Sequence, residues 1–298
     1  MIYYTYGLWY SSNLMGKKPK RDVDLVVLSD IHLGTYGCHA EELLRYLKSI
    51  RPKKIVLNGD IIDMWQFSKH YWPKSHMQVI KHLTGLLAKS TRIVYLTGNH
   101  DEMLRKFAGF KLGSFSIDNK AVLKVNGKRT WIFHGDVFDV AMQHSKWLAK
   151  LGAVGYDTLI VMNAFVNFCL TRLGREKISL SKRVKDGVKS AVKFINNFEL
   201  TVADIAIENG FDHVVCGHIH QPELRTIQTE KGQVIYLNSG DWVENLTALE
   251  YTGMQWSIYR YREDKIAQAI KLAKRTGPQL DNDIIFKNLV SQFMALKK

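Results

Sequence analysis

The stretch VVLSDIHLG (residues 26–34) decides how the rest of the chain is read. Leu25 to Leu28 form an unbroken apolar run, the pattern of a strand buried on both faces. Asp30 and His32 then arrive where a packed interior least tolerates polar groups. One such strand end carries little information. The question is whether later strand ends repeat it.

They do. KKIVLNGD (53–60), RIVYLTGNHD (92–101), TWIFHGD (130–136), HVVCGHIH (213–220) and VIYLNSGDW (234–242) are each a short Val-, Ile- or aromatic-rich run that ends in polar residues. Between the first two strands, CHAEELLRYLKSI (38–50) has helical apolar spacing and Pro52 follows it. HMQVIKHLTGLLAK (76–89) predicts a second helix before the third strand. Strand–helix–strand order with apolar strands predicts an α/β architecture whose sheet is covered on both faces. Ligands in such folds bind at the carboxyl ends of the strands, which is where every polar cluster falls.

Residues 140–210 break this rhythm and predict a helical insertion, apolar over 147–170 and basic after it. From Arg172 to Lys193 there are eight Lys or Arg against Glu176 and Asp186, which is +6 of the net +14. Val184, Val188, Val192 and Ile195 are spaced as one helix face, and Lys182, Lys185, Lys189 and Lys193 fall largely on another. The predicted organisation is an N-terminal extension (1–21), a main domain (22–262) that includes the insertion, and a helical tail (263–298) with Ile285, Leu289, Phe293 and Leu296 at amphipathic spacing.

Composition narrows the setting. Of 298 residues, 46% are hydrophobic and 23% charged, as in a folded soluble chain. Cys38, Cys169 and Cys216 are few and unpatterned, which fits a reducing compartment and argues against a disulfide framework or a cysteine zinc site. The start lacks the basic and apolar regions of a secretory signal. The apolar stretch 158–170 is broken by Asn163 and Asn167, short of the roughly 20 residues a spanning helix needs. The expected location is the cytoplasm. The charge of +14 calls for a polyanionic partner: nucleic acid, an anionic lipid surface or a phosphorylated substrate.

Collected together, the strand ends supply Asp30 and His32, Asp60, then Asn99, His100 and Asp101, then His134, and last His218 and His220. These are carboxylates, imidazoles and an amide oxygen, with no thiolate. Such a mixed set suits Mn first, with Fe or Zn as alternatives. Even seven of these nine as ligands would be too many for one ion and sensible for two divalent ions that share a carboxylate. Such a pair clamps a phosphoryl group and acidifies a shared water.

The series DIH, GD, GNHD, HGD and GHIH resembles the calcineurin-like metallophosphoesterase superfamily. The resemblance implies an α/β (α+β) fold, a β-sandwich flanked by helices, with a dinuclear centre. Asp30, His32 and His220 would hold one metal, and Asn99, His134 and His218 the other, with Asp60 bridging. His100 would bind the phosphate and protonate the leaving oxygen, and Asp101 would orient it.

Within the superfamily, HGDVFD (134–139), the basic insertion before GHIHQP, and NSGDWVEN (238–245) are similar to the UDP-2,3-diacylglucosamine diphosphatase branch. That likeness implies a lid formed by the insertion and a nucleotide–lipid substrate cleaved to UMP and a lipid monophosphate. It also implies peripheral contact with the inner face of the cytoplasmic membrane. Lys189, Lys193, Asp241 and Trp242 are the candidate substrate-binding residues. The chain departs from the branch at His100, where its well-known members carry Arg. The competing readings are a nuclease or other phosphodiesterase, and a non-catalytic scaffold. Concentration of the charge in one insertion argues against nucleic acid.

Overall fold

The computed structural model describes residues 20–65, 71–138 and 198–264, with Ile195 and Gln268. The strands are β1 (Arg21–Leu28), β2 (Ile50–Asn58), β3 (Arg92–Leu96), β4 (Phe110–Leu112), β5 (Phe115–Asp118), β6 (Lys120–Val125), β7 (Lys128–Phe133), β8 (His213–Cys216), β9 (Glu223–Thr229), β10 (Gly232–Asn238), β11 (Thr247–Thr252) and β12 (Gln255–Arg260). Helices α1 (Ala40–Ser49) and α2 (Lys74–Leu87) follow β1 and β2. A helical stretch, residues 198–208, precedes β8. A second compact unit begins at Arg260, and its described part includes a 3-10 turn, Tyr261–Glu263.

The strands form two sheets, ordered β12-β11-β1-β2-β3-β5-β4 and β6-β7-β8-β10-β9. Strand–helix order alone predicts one sheet covered on both faces; the β-sandwich that the family resemblance implies is what the structure shows, with two sheets dividing that role. Leu25, Val27, Val56, Val94, Leu96 and Leu249 of the larger sheet meet Ile132, Val215 and Leu237 of the smaller one in a shared core. The alternate residues Val26, Leu28, Ile55 and Leu57 are buried as well, on the side away from that core. Each central strand is therefore apolar on both faces, which is why its sequence shows an unbroken run. Helix α1 buries Leu43, Leu44, Tyr46 and Leu47 and packs on β2 and α2, with Glu41 and Glu42 in its first turn and Lys48 in its last, as the helix dipole favours.

Phe198, Val202, Ala203 and Ala206 of helix 198–208 pack against Val214, Cys216, Val234 and Tyr236 on the outer face of the smaller sheet. The last part of the predicted insertion is thus a layer of the sandwich. Its remainder up to residue 194, with Lys189 and Lys193, lies outside the described residues, as does the predicted amphipathic tail.

Strands β1, β2 and β3 run parallel, as do β7, β8 and β10. The parallel order has one consequence for function. Within each set every carboxyl end points the same way, so one to four residues past each strand are enough to bring distant parts of the chain to one edge.

Candidate metal centre

Asp30 and His32 follow β1, Asp60 follows β2, Asn99 and His100 follow β3, His134 follows β7, and His218 and His220 follow β8. The loops that carry them are stitched together by backbone hydrogen bonds. Asp30 N–H donates to the Gly59 carbonyl (3.1 Å), His32 N–H to Asp60 (2.9 Å), Gly217 N–H to His134 (2.9 Å) and Trp242 N–H to Asp30 (3.0 Å).

Five of these site residues have left-handed backbone: Asp30 (φ 51°), His32 (52°), Asp60 (54°), His218 (66°) and His220 (54°). Only nine non-glycine residues among those described do so. Asp and His tolerate this region better than most side chains, and strain of this kind persists where surrounding structure enforces it. The glycines of the motifs answer a different need, close approach. A Cβ on Gly98 would collide with Asp60 Oδ1, and one on Gly217 would meet Ser29 Oγ at 2.6 Å and Asp30 Oδ2 at 2.7 Å.

The side chains converge in overlapping groups: Asp30 with His32 and His220; His32 with Asp60 and His100; Asp60 with His134 and His218. His220 Nε2 lies 3.2 Å from Asp30 Oδ1, and His134 Nε2 lies 3.3 Å from Asp60 Oδ2. Asp60 Oδ2 is also 4.0 Å from His32 Nε2, so Asp60 reaches both ends of the cluster.

Whether a metal pair fits can be tested on unpaired atoms. Buried polar atoms in folded proteins almost always have a partner. Asp30 Oδ1, His32 Nε2, Asn99 Oδ1 and His134 Nε2 are buried with no hydrogen-bond partner. The other atoms of the same groups are held. Asp30 Oδ2 accepts from His218 N–H (3.0 Å), Asp60 Oδ1 accepts from His100 N–H (2.8 Å), and His134 Nδ1 sits 2.8 Å from the Asn58 carbonyl oxygen. Anchoring Nδ1 on a carbonyl leaves the Nε2 lone pair for a cation, the usual support for a metal-ligating histidine.

The electrostatics agree. Burial raises the pKa of Asp30, yet His220, His134 and His32 hold it well below the carboxylate range. Burial opposes a charge on His134 and His220, but Asp60 and Asp30 push His134 up to about 10, and Asp30 above all pushes His220 up to about 9. Carboxylates that raise the pKa of buried imidazoles give the pocket a preference for positive charge. The residues fit a pair of divalent cations.

His100 faces the same cluster, its Nε2 4.0 Å from Asp60 Oδ2. The sequence predicts that Asp101 orients it. The structure gives that contact to Asp63 instead, a residue the sequence reading missed. Asp63 Oδ2 is 2.9 Å from His100 Nδ1 and 3.2 Å from His32 Nδ1. One carboxylate oxygen thus turns two imidazoles so that both Nε2 atoms point inward. Burial lowers the pKa of His100, but Asp63 and Asp60 raise it beyond the ordinary value. Asp101 is a brace: Oδ2 accepts from Ile61 N–H (2.9 Å) and Tyr95 Oη–H (2.6 Å), and Oδ1 accepts from Gly98 N–H (2.6 Å). The available signal for Asp63 was a second acidic residue in GDIID, where an apolar run would otherwise continue. Replacing Asp63 with Asn is expected to lower turnover about 10- to 100-fold, checked by kcat at saturating metal with the thermal melt as control.

Asp241 and Trp242 are fully buried rather than open to a ligand. Asp241 Oδ1 accepts from Val243 N–H (2.8 Å) and Asn245 N–H (3.1 Å), which folds the turn after β10, and Oδ2 lies 3.9 Å from His220 Nδ1. Trp242 stacks on Tyr46 of α1, ring centroids 5.5 Å apart. Burial pushes the Cys38 thiol up to about 12 and the buried Cys216 thiol well above its usual value, so neither is poised as a nucleophile.

The chain is similar to known proteins. The chain is 26% identical over 217 residues to a protein of Blochmanniella pennsylvanica (strain BPEN) named UDP-2,3-diacylglucosamine hydrolase, covering 71% of this chain and 85% of that one. It is 22% identical over 250 residues to a protein of the same name from Aliivibrio fischeri (strain MJ11), covering 79% and 98%. A Vibrio cholerae protein of that name matches at 23% over 235 residues, covering 76% and 93%. The profile of the family described as calcineurin-like phosphoesterase matches residues 23–222, a span that begins in β1 and takes in every donor of the cluster. The chain belongs to the calcineurin-like phosphoesterase family.

Proposed function

We propose that this chain hydrolyses the pyrophosphate of UDP-2,3-diacylglucosamine or a similar lipid-linked nucleotide, giving UMP and a lipid monophosphate. The observation that carries the substrate is the shared name of relatives aligned over most of the chain. The intact set of donors at the strand ends supports hydrolysis over a scaffold role. Asp30, His32 and His220 would hold one divalent ion, and Asn99, His134 and His218 the other, with Asp60 between them; Mn, Fe or Zn suits these donors. When bound, such ions supply Lewis acidity and an acidified water.

The protein's own contribution is placement. His100, turned by Asp63, presents Nε2 beside Asp60, where it can donate to a phosphate oxygen and then to the leaving oxygen. The unpaired Asp30 and His134 atoms aim at the same space. Charge developing on the phosphoryl oxygens would meet preset dipoles and cations there. No described helix is long and apolar enough to cross a membrane. Contact with an anionic membrane surface at the cytoplasmic side would then be peripheral, and the +14 charge supports it.

One observation favours a second reading, a phosphodiesterase acting on another phosphoester. His100 is the residue of the wider superfamily, where the lipid-specific branch carries Arg. Mass spectrometry of products from UDP-diacylglucosamine and from soluble phosphodiesters, each with Mn, separates the two. UMP and lipid monophosphate are the expected products. Turnover of the soluble diesters alone would sink the lipid assignment.

A further inference from the structure

We propose that the cavity at the amino ends of β7 and β8 binds a small amphiphile, an aliphatic chain that ends in a carboxylate or a similar anion. The cavity has a volume of about 350 Å³, within the range of small-molecule sites. Its apolar walls are Leu224, Ile235, Tyr251, Met254 and Trp256, and Lys128 and His213 supply its charge and its imidazole. Metal donors follow the carboxyl ends of β7 and β8, so this cavity lies toward the opposite edge of the sandwich. Side chains alternate between the faces of a strand, which puts His213 and Ile235 on the same inner face as Val215 and Leu237 of the shared core. Tyr251 belongs to that core, and Ile235 and Trp256 pack against it. The cavity is therefore a gap between the two sheets at the margin of the core.

His213 is the feature that points to a ligand. The residue is only 4% exposed, and its Nδ1 lies 3.0 Å from Thr130 Oγ1. Its other nitrogen, Nε2, has no hydrogen-bond partner among the described residues. Buried polar groups are almost always paired, so an unpaired imidazole in a cavity wall marks a place for a partner. Burial first, and then the Lys128 ammonium, lower the His213 pKa against the pull of Asp212. The imidazole is therefore neutral near pH 7. With the Thr130 hydroxyl donating to Nδ1, Nε2–H is a donor beside a full positive charge, a pair that suits an anionic acceptor. The rest of the lining suits a chain. Leu224, Ile235 and Met254 are aliphatic, and Met adapts to irregular contours. Tyr251 and Trp256 meet edge to face, centroids 5.1 Å apart and inclined by 64°, so the two rings form no parallel slot for a planar ligand. This site is separate from the metal centre, and the inference does not depend on the substrate hydrolysed there.

The test is calorimetric binding of octanoate to the full-length protein, with hexanoate, 1-octanol and benzoate for comparison. Octanoate should bind at one saturable site about tenfold more tightly than hexanoate, the gain expected from burying two further methylenes. Octanol and benzoate should bind more weakly than octanoate. Lys128→Glu should weaken octanoate about tenfold or more and leave octanol unchanged. His213→Leu should weaken octanoate, and His213→Gln, whose amide N–H can stand in for Nε2–H, should restore part of the loss. Met254→Asp keeps the variant set informative if His213→Leu fails to fold, because Met254 is exposed at a left-handed turn position (φ 66°) that Asp tolerates. It should weaken octanoate by like-charge repulsion. All of these variants should keep hydrolysis of a soluble phosphodiester with Mn. Absence of saturable octanoate binding by the unaltered protein would overturn the proposal. So would octanol or benzoate binding as tightly as octanoate. Octanoate binding that survives Lys128→Glu and Met254→Asp unchanged would place the ligand elsewhere, the metal-centre side included, and would overturn it too.

Discussion

Replacing Asp60 with Asn is expected to lower phosphoester hydrolysis by about a thousandfold or more, equivalent to several kcal/mol of transition-state stabilisation. Asp60 Oδ2 lies 3.3 Å from His134 Nε2 at one end of the cluster and 4.0 Å from His32 Nε2 at the other. Asparagine keeps the shape, and its Oδ1 can still accept the His100 N–H that now binds Asp60 Oδ1. What it loses is the charge that would face the two cations. Without metal the variant also loses the attraction between Asp60 and the buried His134 imidazole, which together with His32 outweighs burial and the repulsion from Asp30 and holds the Asp60 pKa below its usual value. The expected signature therefore has three parts. Bound metal per chain falls, the metal-free melting temperature falls modestly, and the gain in melting temperature on adding Mn shrinks. Retained turnover with full metal content would remove Asp60 from the bridging position.

Several features of the fold could be read directly from residues, for an identifiable reason. Segments such as LVVL (25–28) and HVVC (213–216) are buried on both faces, so every residue carries the signal. Strand β6, with its alternating KAVLKV, and the exposed FKL of β4 lie at sheet edges, where half the side chains or all of them answer to water. The split into two sheets was legible only through the family resemblance of the strand-end motifs, which implied a β-sandwich. An apolar run states that both faces are covered, and not whether by helix or by sheet. Donor residues at strand ends were legible because Asp, His and Asn are conspicuous after an apolar run. Asp63 was not, since its role exists only when His32 and His100, far apart in sequence, are folded onto one of its oxygens. Asp241 and Trp242 show the converse. Their motif marks a turn and a core contact below His220, which sequence cannot tell from a binding surface.

Replacing Asp101 with Ala is expected to cost about 3 kcal/mol of stability, because each buried donor left unpaired costs about 1–3 kcal/mol and three donors lose their acceptor. The donors belong to three elements of the site: Ile61 N–H beyond β2, Gly98 N–H beyond β3, and Tyr95 Oη–H within β3. Asp101 therefore clamps the Asp60 loop to the Asn99–His100 loop, two parts of the centre that have no covalent reason to stay in register. At about 2–4 °C per kcal/mol for a chain of this size, the melting temperature should fall by about 10 °C. Asp101→Asn should fall less, since one amide oxygen can still accept from Gly98 or from Ile61. Asp63→Asn should move the melt less while lowering turnover, because its Oδ1 can still accept the Trp65 N–H and what it loses is the charge that holds the His32 and His100 side chains. Those two variants separate bracing from orienting. If Asp101→Asn instead lost turnover with an unaltered melt, the orienting role predicted from sequence would belong to Asp101 after all.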